Sequence, residues 1–450
     1  MDWKRYLICV LVLQLFTIVS AIVTETASLH DFLFKSEPAA HYDNWLSHLA
    51  EGIANPGYNV YAPYDLQSNG FGAFRIPDLA AVEAWDNMLS LFIAGNFQAA
   101  QDALDSIEAP FQIVEFNDTD TGRTYYMIRE IPDLSYYDDN GTADLNDDEH
   151  GAFTYGWGLF VYNPAAVNPI IITIPHPCDD FPSPVMGYQA LTQWNARCLM
   201  INGAGREVAW TNIEPYNNSK SLSDPTRNAN HPFHKAYIKF ADEIRSQTGW
   251  REFSSQLHTY DSSLHIGYAN CQISAGYRKD CPNLPIRDLS WLKHDLINQG
   301  NHVMVSANEV GNNQDVLLNS FYAVSYNTYE FTFTDGTNTY AVNNSIDLPA
   351  YSLNNQMLYT QTGINDFDVY EPFFHIEMDE LPNVYGSAND VYNWFYGWDE
   401  ELQKWDMNNL FTNFVSYYGR WIDDMVPVLA EMFQMNDGLA PTDPTNLTIL

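Results

Sequence analysis

A histidine and two acids follow directly after a short apolar run in IITIPHPCDDF, residues 171–181. The apolar part is rich in β-branched residues, which is typical of a buried central strand. His176 and Asp179 stand three residues apart, and prolines on both sides of His176 stiffen the loop that carries them. An imidazole and a carboxylate at this spacing can bind one metal ion, and both are ligands that Zn²⁺ takes at about 2 Å. Asp180 is an alternative second ligand, and a capping aspartate beside a surface histidine is the alternative without a metal.

Two later strands carry further groups for such a site. His258 ends the run QLH in a strand that alternates polar and apolar residues. It would therefore project near the carboxyl end of a sheet strand, where sites in open α/β sheets lie. His265 and His294 compete with it, although they stand in a loop and on a helix face. In FFHIEMD, His375 and Glu377 alternate on one face of a strand, and because an unpaired carboxylate on an apolar strand is costly, Glu377 is a candidate general base.

Arginine is scarce in this chain, which has only 20 Lys and Arg residues in total. An arginine in a turn-rich segment is therefore a candidate for a specific role. Arg206 follows a strand in GAGREV, and Arg227 precedes a helix in SDPTRNANHPFH. A guanidinium group can hold a substrate carboxylate by two hydrogen bonds or stabilise an oxyanion. A surface ion pair in an acid-rich protein is the alternative for each arginine.

The hydrophobic pattern that must position these groups changes near residue 110. Residues 28–108 have apolar residues at three- and four-residue spacing and are predicted to be an N-terminal helical segment packed on the following domain. Residues 109–380 begin with a hairpin around NDTDTG and continue with strands that alternate with helices. This order predicts an α/β fold with a mixed, mainly parallel sheet between helices. Residues 381–436 are predicted to be aromatic-rich helices of the same domain, and residues 437–450 read as a linker-like tail.

The order of the motifs along the chain resembles that of the zinc carboxypeptidases. The order is His-x-x-acid, Arg, Arg-Asn, a histidine on a strand and a glutamate on a late strand. It is also similar to that of N-formylglutamate amidohydrolases, aspartoacylases and succinylglutamate desuccinylases. The IPHP opening and the run from SDPTRNAN to QLH look closest to exported, poorly characterised members of this superfamily. The resemblance covers about residues 110–380.

This resemblance implies a phosphorylase/hydrolase-like fold, as in zinc carboxypeptidases, with one catalytic zinc at the strand ends. Carried over residue by residue, it makes His176, Asp179 and His258 the metal ligands. Glu377 becomes the general base for a water activated by the metal, and Arg206 the oxyanion-stabilising arginine. Arg227 and Asn228 become the carboxylate clamp, and His375 a further substrate-binding residue. The second ligand of the family is usually glutamate, where this chain has aspartate. Tyr351 and Tyr359 are candidates for the tyrosine of the carboxypeptidases.

Three functions fit these features. The first is a secreted zinc hydrolase, a metallopeptidase that cleaves an amide or peptide bond in a small peptide or acyl-amino-acid substrate. The second is an amidohydrolase of N-acyl amino acids or γ-glutamyl substrates. The third, from another class, is a non-catalytic exported protein that binds carbohydrate or a surface, because the chain is rich in Trp, Tyr and Asn.

The net charge and the N-terminal residues indicate which partners and which location to expect for the protein. A net charge of −37, from 57 acids against 20 bases, argues against a nucleic-acid partner. Residues 1–21 have the basic start, the apolar run and the small-residue end of a signal peptide. No later run reaches 18 apolar residues, so we expect no stable membrane span after cleavage. The expected location is secreted or extracellular, or else periplasmic or at the cell surface.

The cysteines and an acidic loop complete the expectations. Four cysteines remain after signal cleavage, and in an exported chain they predict two disulfides. The local pairing is Cys178–Cys198 and Cys271–Cys281, with the other two pairings left open. The acid-rich residues 136–151 could wrap Ca²⁺, although their spacing is not that of an EF-hand and a solvated loop explains them as well.

Overall fold

A computed structural model of the 450-residue chain provides the description of the fold. The structure describes residues 22–35, 44–46, 49, 62–63, 74–138, 149–177, 180, 182–206, 208–210, 222–226, 228, 230–248, 253–260, 271–274, 304–306, 329–334, 339–344, 373–379, 398–399, 404–419 and 421–426. Residues 1–21, which are predicted to be a signal peptide, and the segment of His294, which is predicted to be on a helix, lie outside this part of the chain.

The described residues form seven helices and eighteen strands. The helices are α1 (Leu29–Phe34), α2 (Leu79–Ile93), α3 (Phe97–Ser106), α4 (Ser183–Gln193), α5 (Pro232–Thr248), α6 (Met407–Tyr418) and α7 (Trp421–Asp424). The strands are β1 (Val23–Ala27), β2 (Ala62–Pro63), β3 (Phe111–Asp118), β4 (Thr124–Glu130), β5 (Asp133–Asp138), β6 (Glu149–Ala152), β7 (Leu159–Tyr162), β8 (Asn168–Ile174), β9 (Ala196–Ile201), β10 (Ala209–Trp210), β11 (Phe253–Tyr260), β12 (Cys271–Ser274), β13 (Met304–Ser306), β14 (Tyr329–Thr334), β15 (Thr339–Asn344), β16 (Phe373–Asp379), β17 (Trp398–Asp399) and β18 (Lys404–Trp405).

Ten of these strands form one mixed sheet in the order β1-β3-β4-β7-β9-β8-β11-β16-β12-β13. The four central strands β9, β8, β11 and β16 run parallel to one another. The antiparallel strands β4 and β7 lead to β9 on one side, and β12 lies antiparallel to β16 on the other. The predicted α/β class with a mixed sheet is therefore confirmed. The carboxyl ends of the four central strands share one edge, where loops can combine their side chains.

Helices cover both faces of the sheet, because the central strands are apolar on both sides. In β8, Ile170, Ile172 and Ile174 pack into a cluster with α1, α4, α6 and α7. The intervening Ile171 packs into a second cluster with α2, α3 and α5. All seven residues of β8 are buried, as a strand between two helical layers must be. The sequence pattern of this strand predicted that position in the sheet.

The predicted hairpin and the helices before it are also present. β3 and β4 pair antiparallel across the turn that contains NDTDTG, from Phe111 opposite Glu130 to Asn117 opposite Thr124. Asp78 begins α2 by accepting a hydrogen bond from the backbone N–H of Ala81, a normal N-cap. α2 and α3 then pack their apolar faces on this part of the sheet.

Two segments differ from the expectation. β1 was not anticipated: it precedes the segment 28–108 that was predicted to be helical, and it extends the sheet by pairing parallel with β3. Strands β17 and β18 pair antiparallel within the segment 381–436, which was predicted to be helical. The composition explains the difference, since aromatic residues are common in strands as well as in helices, and the backbone register places Trp398 opposite Trp405. The helices α6 and α7 that follow agree with the prediction.

The cysteine expectation also changes. Cys198 is a free, fully buried thiol in β9, so the expected Cys178–Cys198 disulfide is not present. The register explains this, because Cys198 lies opposite Ile171 in the middle of the sheet, whereas Cys178 follows the end of β8. Cys178 and Cys281 lie outside the described residues, and of Cys271 only the backbone in β12 is described. Within the described residues no helix is long and apolar enough to cross a membrane.

Candidate metal centre

The candidate ligands come together at the carboxyl edge of the central strands. His176 follows β8 by two residues, and His258 is the third-last residue of β11, the next strand in the sheet. The backbone N–H of Asp180 donates to the carbonyl of His176, at 2.8 Å, which folds the loop after β8 back on itself. The Asp180 carbonyl in turn accepts from Ser183 N, at 2.8 Å, at the start of α4. Sheet and helix together thus bring the Asp180 side chain beside both histidines.

His176, Asp180 and His258 form a compact, buried group. One ligand atom from each lies within 4.8 Å of those of the other two. Asp180 Oδ2 is 2.6 Å from His258 Nδ1 and 3.8 Å from His176 Nδ1. The three residues are only 2%, 6% and 2% exposed. A carboxylate this buried needs a cationic or hydrogen-bonding partner, and the two imidazoles face it.

A second carboxylate orients His176 from behind. Asp224 Oδ1 lies 3.0 Å from His176 Nε2. Because a carboxylate accepts hydrogen bonds, this contact favours the imidazole with its proton on Nε2. The Nδ1 lone pair of His176 is then available on the side of Asp180, and no described group hydrogen-bonds to that nitrogen. A histidine whose far nitrogen donates to a carboxylate is the usual arrangement of a metal-ligating histidine.

The Asp224 carboxylate is itself held in place by its own loop. Its Oδ1 accepts from the backbone N–H of Thr226, at 2.9 Å, and from the Thr226 hydroxyl, at 2.6 Å. The backbone N–H of Asn228 donates to the Asp224 carbonyl at 3.1 Å. Asp224 and Thr226 are each 1% exposed, so these bonds are shielded from water. The loop therefore presents Asp224 to His176 in one orientation.

The buried group fits a small divalent cation. Zinc takes nitrogen and oxygen donors at about 2.0–2.2 Å, which places neighbouring donors of a tetrahedral site about 3.3 Å apart. The two contacts of Asp180 Oδ2, at 2.6 and 3.8 Å, lie on either side of that spacing. Shifts of less than about 1 Å would give the coordinating distances. Two histidines with one carboxylate leave a fourth position open, as catalytic zinc sites do.

The structure brings some of the predicted site residues together, while others lie outside the described residues. His176 and His258 meet as predicted, and Asp180, the alternative second ligand, stands with them. Asp179 and Arg227 lie outside the described residues, so their predicted roles stay predictions. Arg206 lies in the loop after β9, at the same edge of the sheet.

The remaining predicted residues are on the loop of Asp224 and on β16. Asn228 donates its side-chain amide to the carbonyl of Leu222, at 3.1 Å, and accepts from Asn230 N, at 3.0 Å, so much of its hydrogen-bonding capacity serves its own loop. Glu377 pairs in register with His258, and His375 with Gln256. The backbone of β16 thus passes directly beside the strand that carries His258.

Two residues of the site were missed by reasoning from the sequence. Asp224 begins the run DPTRN, and the aspartate two residues before a threonine is the signal of an Asx turn that could have pointed to it. Asn202 was missed because a lone asparagine after a strand carries no recognisable spacing. Its side-chain amide donates to carbonyls in three segments that meet only in the folded chain, at Pro175, Ala204 and Ser223.

Two further histidines are buried where the Asp224 loop enters α5. Burial lowers the pKa of His231 to about 3, although the nearby charge of Asp224 raises it. Burial likewise lowers the pKa of His234 to about 3, with the charges of Lys235 and His231 acting in the same direction. His231 also accepts at Nδ1 from the backbone N–H of Phe233, at 3.1 Å. Both imidazoles are therefore neutral at physiological pH and add no positive charge beside Asp224.

A cavity of about 490 Å³ lies elsewhere, between β1, β3 and α1, and its walls include Phe32, Trp45 and Glu130. None of the candidate ligands lines it. This cavity is therefore not the candidate centre, which is identified by its donor atoms.

The chain was compared with protein-family models, with curated proteins and with solved structures, and none of the three comparisons gave a match.

Proposed function

We propose that this chain is a secreted, zinc-dependent hydrolase of amide or peptide bonds, similar to the zinc carboxypeptidases in fold and site. The observation that supports this most is the buried group of His176, Asp180 and His258 with Asp224 behind His176. A buried cluster with this donor set at the carboxyl edge of parallel strands is suited to catalysis at a metal. The mixed sheet between two helical layers agrees with the same proposal.

In this proposal His176, Asp180 and His258 hold the zinc, and Asp224 keeps the His176 imidazole in the tautomer that can ligate through Nδ1. A bound zinc would supply Lewis-acid polarisation of the substrate carbonyl and would lower the pKa of water. Asp180 takes the place that the resemblance assigned to Asp179, because its carboxylate reaches both histidines.

Glu377 is the proposed general base, which accepts the proton of the attacking water on a side-chain oxygen and returns it to the leaving amine. Its support is the register of β16, in which Glu377 stands opposite His258. Arg206 is the proposed partner of the oxyanion, since its loop leaves β9 at the same edge. The substrate is a small peptide or an acyl amino acid, and the hydrolysis rates of the two kinds of substrate would distinguish a peptidase from an amidohydrolase.

The test of the metal site is the zinc content of the purified secreted protein, measured by mass spectrometry. The wild type should hold about one zinc per chain, and His258→Ala should lose it. His30→Ala is the matched control, because His30 lies on α1 and belongs to none of these contacts. Wild type without zinc after zinc is supplied, or His258→Ala with an unchanged zinc content, would contradict the proposal.

The test of the mechanism is Glu377→Gln. This variant should keep its zinc and lose turnover of an acyl amino acid or peptide, because a carboxamide cannot accept the proton. Turnover that survives the substitution would show that Glu377 is not the base, while leaving the metal site intact.

A further inference from the structure

A single buried asparagine connects its own loop after β9 to the loops that carry His176 and Asp224. Asn202 follows β9 directly and is 0% exposed. Its side-chain Nδ2 donates to the carbonyls of Pro175 at 3.0 Å, Ala204 at 2.9 Å and Ser223 at 3.4 Å. An amide has only two N–H groups, so the longest of the three contacts shares a proton with another. All of its donor capacity therefore serves these loops.

Two of the three carbonyls belong to the residues immediately before the functional pair. Pro175 precedes His176, and Ser223 precedes Asp224, whose carboxylate lies 3.0 Å from His176 Nε2. One side chain thus contacts both peptide units from which the histidine and its carboxylate project, closely at Pro175 and more weakly at Ser223. A displacement of either peptide would lengthen the His176–Asp224 contact, and side-chain hydrogen bonds weaken steeply with distance and angle.

Two further hydrogen bonds, of the backbone N–H and of the side-chain oxygen of Asn202, hold its loop at the end of the sheet. The N–H of Asn202 donates to the carbonyl of Ile174, the last residue of β8, at 2.9 Å. Its Oδ1 accepts from the N–H of Gly203 at 2.9 Å. Gly203 has no room for a side chain, because a Cβ would lie 2.5 Å from the backbone of Gly156 and of Gly158. The loop that also carries Arg206 is therefore anchored on both sides of Asn202.

We propose that Asn202 is a positioning residue of the metal centre, which sets the distance and orientation between His176 and Asp224. Its hydrogen bonds go to backbone groups and not to the candidate ligand side chains, so it acts through the peptides of Pro175 and Ser223. The inference deepens the proposed function and rests on its metal site, but it does not depend on which substrate is hydrolysed. Loss of an outer-shell partner typically weakens metal binding 10–100-fold. We expect a loss in this range for Asn202→Ala.

The first measurement is zinc affinity, by competition with a chromogenic chelator, for wild type, Asn202→Ala and Asn168→Ala. Asn168 is the matched control, because it is also buried, donates its amide to the carbonyl of Trp194 at 2.6 Å, and begins β8 at the opposite end from His176. Asn202→Ala should bind zinc at least about 10-fold more weakly than Asn168→Ala. Equal affinities of the two variants would overturn the proposal. Asn202→Ser, which retains a smaller donor, replaces Asn202→Ala if the latter does not fold.

The second measurement needs no metal. In protein labelled with ¹⁵N-histidine, the NMR chemical shifts of the two ring nitrogens of His176 report which of them carries the proton. The signals of His176 are assigned as those that disappear in His176→Gln. Wild type and Asn168→Ala should show the Nε2–H form, and Asn202→Ala should show a mixture with the Nδ1–H form. An unchanged tautomer in Asn202→Ala would overturn the proposal even if zinc affinity falls. If the wild type binds no zinc but Asn202→Ala still shows the mixed tautomer, the zinc hydrolase is contradicted and the role of Asn202 in positioning His176 against Asp224 remains supported.

Discussion

The two buried histidines at the start of α5 make the stability of this protein depend on pH in a way that can be calculated. The pKa values of His231 and His234 are each about 3 in the folded chain, against 6.5 for a free histidine. As the pH falls below 6.5, protons bind these residues in the unfolded chain first. Their contribution to stability is therefore fully present above pH 6.5 and is lost progressively toward pH 3.

Glu130 changes the folding stability in the opposite direction over part of the same pH range. Burial raises its pKa to about 7 from 4.5, although its carboxylate accepts backbone N–H bonds from Thr154, Tyr155 and Gly156. The folded chain therefore holds a proton on Glu130 that the unfolded chain has released. This contribution is fully present below pH 4.5 and is lost as the pH rises through 7.

The magnitudes follow from proton linkage. Between pH 6.5 and 5.0, each of the two histidines should cost about 1–2 kcal/mol of folding stability, and Glu130 should restore a similar amount, also about 1–2 kcal/mol. We therefore expect His234→Gln to remove about 1–2 kcal/mol of the loss on acidification, whatever its effect at pH 6.5. Glu130→Gln should do the reverse and enlarge the loss by about 1–2 kcal/mol.

The assay is urea unfolding at pH 6.5, 6.0, 5.5 and 5.0, at constant ionic strength and with a chelator present, so that metal binding does not contribute. The quantity compared is the change in unfolding free energy with pH, for each variant relative to wild type. His30→Gln, which replaces a histidine outside the buried pair, serves as the control. If the difference between wild type and His234→Gln is the same at every pH, His234 is not neutral and buried as described, and the reasoning is refuted.

Two further predictions concern the core around the central strands. Gly187→Ala should lower the free energy of unfolding by about 1–2 kcal/mol, because its Cβ would lie 2.4 Å from Ile174 Cδ1 and 2.9 Å from Leu199 Cδ1, which outweighs the better helix propensity of alanine. An unchanged or raised midpoint in urea would show that these two side chains can move aside. Burial raises the pKa of the Cys198 thiol, and the thiol is fully buried, so a thiol reagent at pH 7 should modify Cys198 only after unfolding. Rapid modification of the native protein, located by peptide mass spectrometry, would contradict its position between the sheet and the helices.

The local sequence pattern was sufficient to predict those helices and strands whose structure is decided by their own residues. The apolar, β-branched run of β8 predicted a central strand, and the structure has all seven of its residues buried. The spacing of apolar residues predicted α2 and α3, and the turn-rich NDTDTG predicted the hairpin of β3 and β4. These elements follow from the periods of helix and strand, which are properties of neighbouring residues.

Elements that depend on a distant partner were not predictable in this way. β1 is a strand because it pairs with the free edge of β3, and its own five residues, although rich in β-branched types, lack the alternation of apolar and polar residues that marks a half-buried strand. β17 and β18 are strands because they pair with each other, with Trp398 in register with Trp405, although their segment is rich in aromatic residues that also suit helices. Cys198 is free because its register places it opposite Ile171, a fact that the count of cysteines cannot supply.

For the candidate site, the sequence by itself determined the chemical types and their order along the chain: a histidine and acids after one strand, a histidine within another and a glutamate on a third. Only the tertiary structure shows that Asp180 meets both histidines, because the turn from His176 to Asp180 sets where that carboxylate points. The tertiary structure also brought in Asp224 and Asn202, which stand 48 and 26 residues from His176 along the chain. The reason is that hydrogen bonds act over about 3 Å in space, and the parallel strands bring together loops that the sequence keeps far apart.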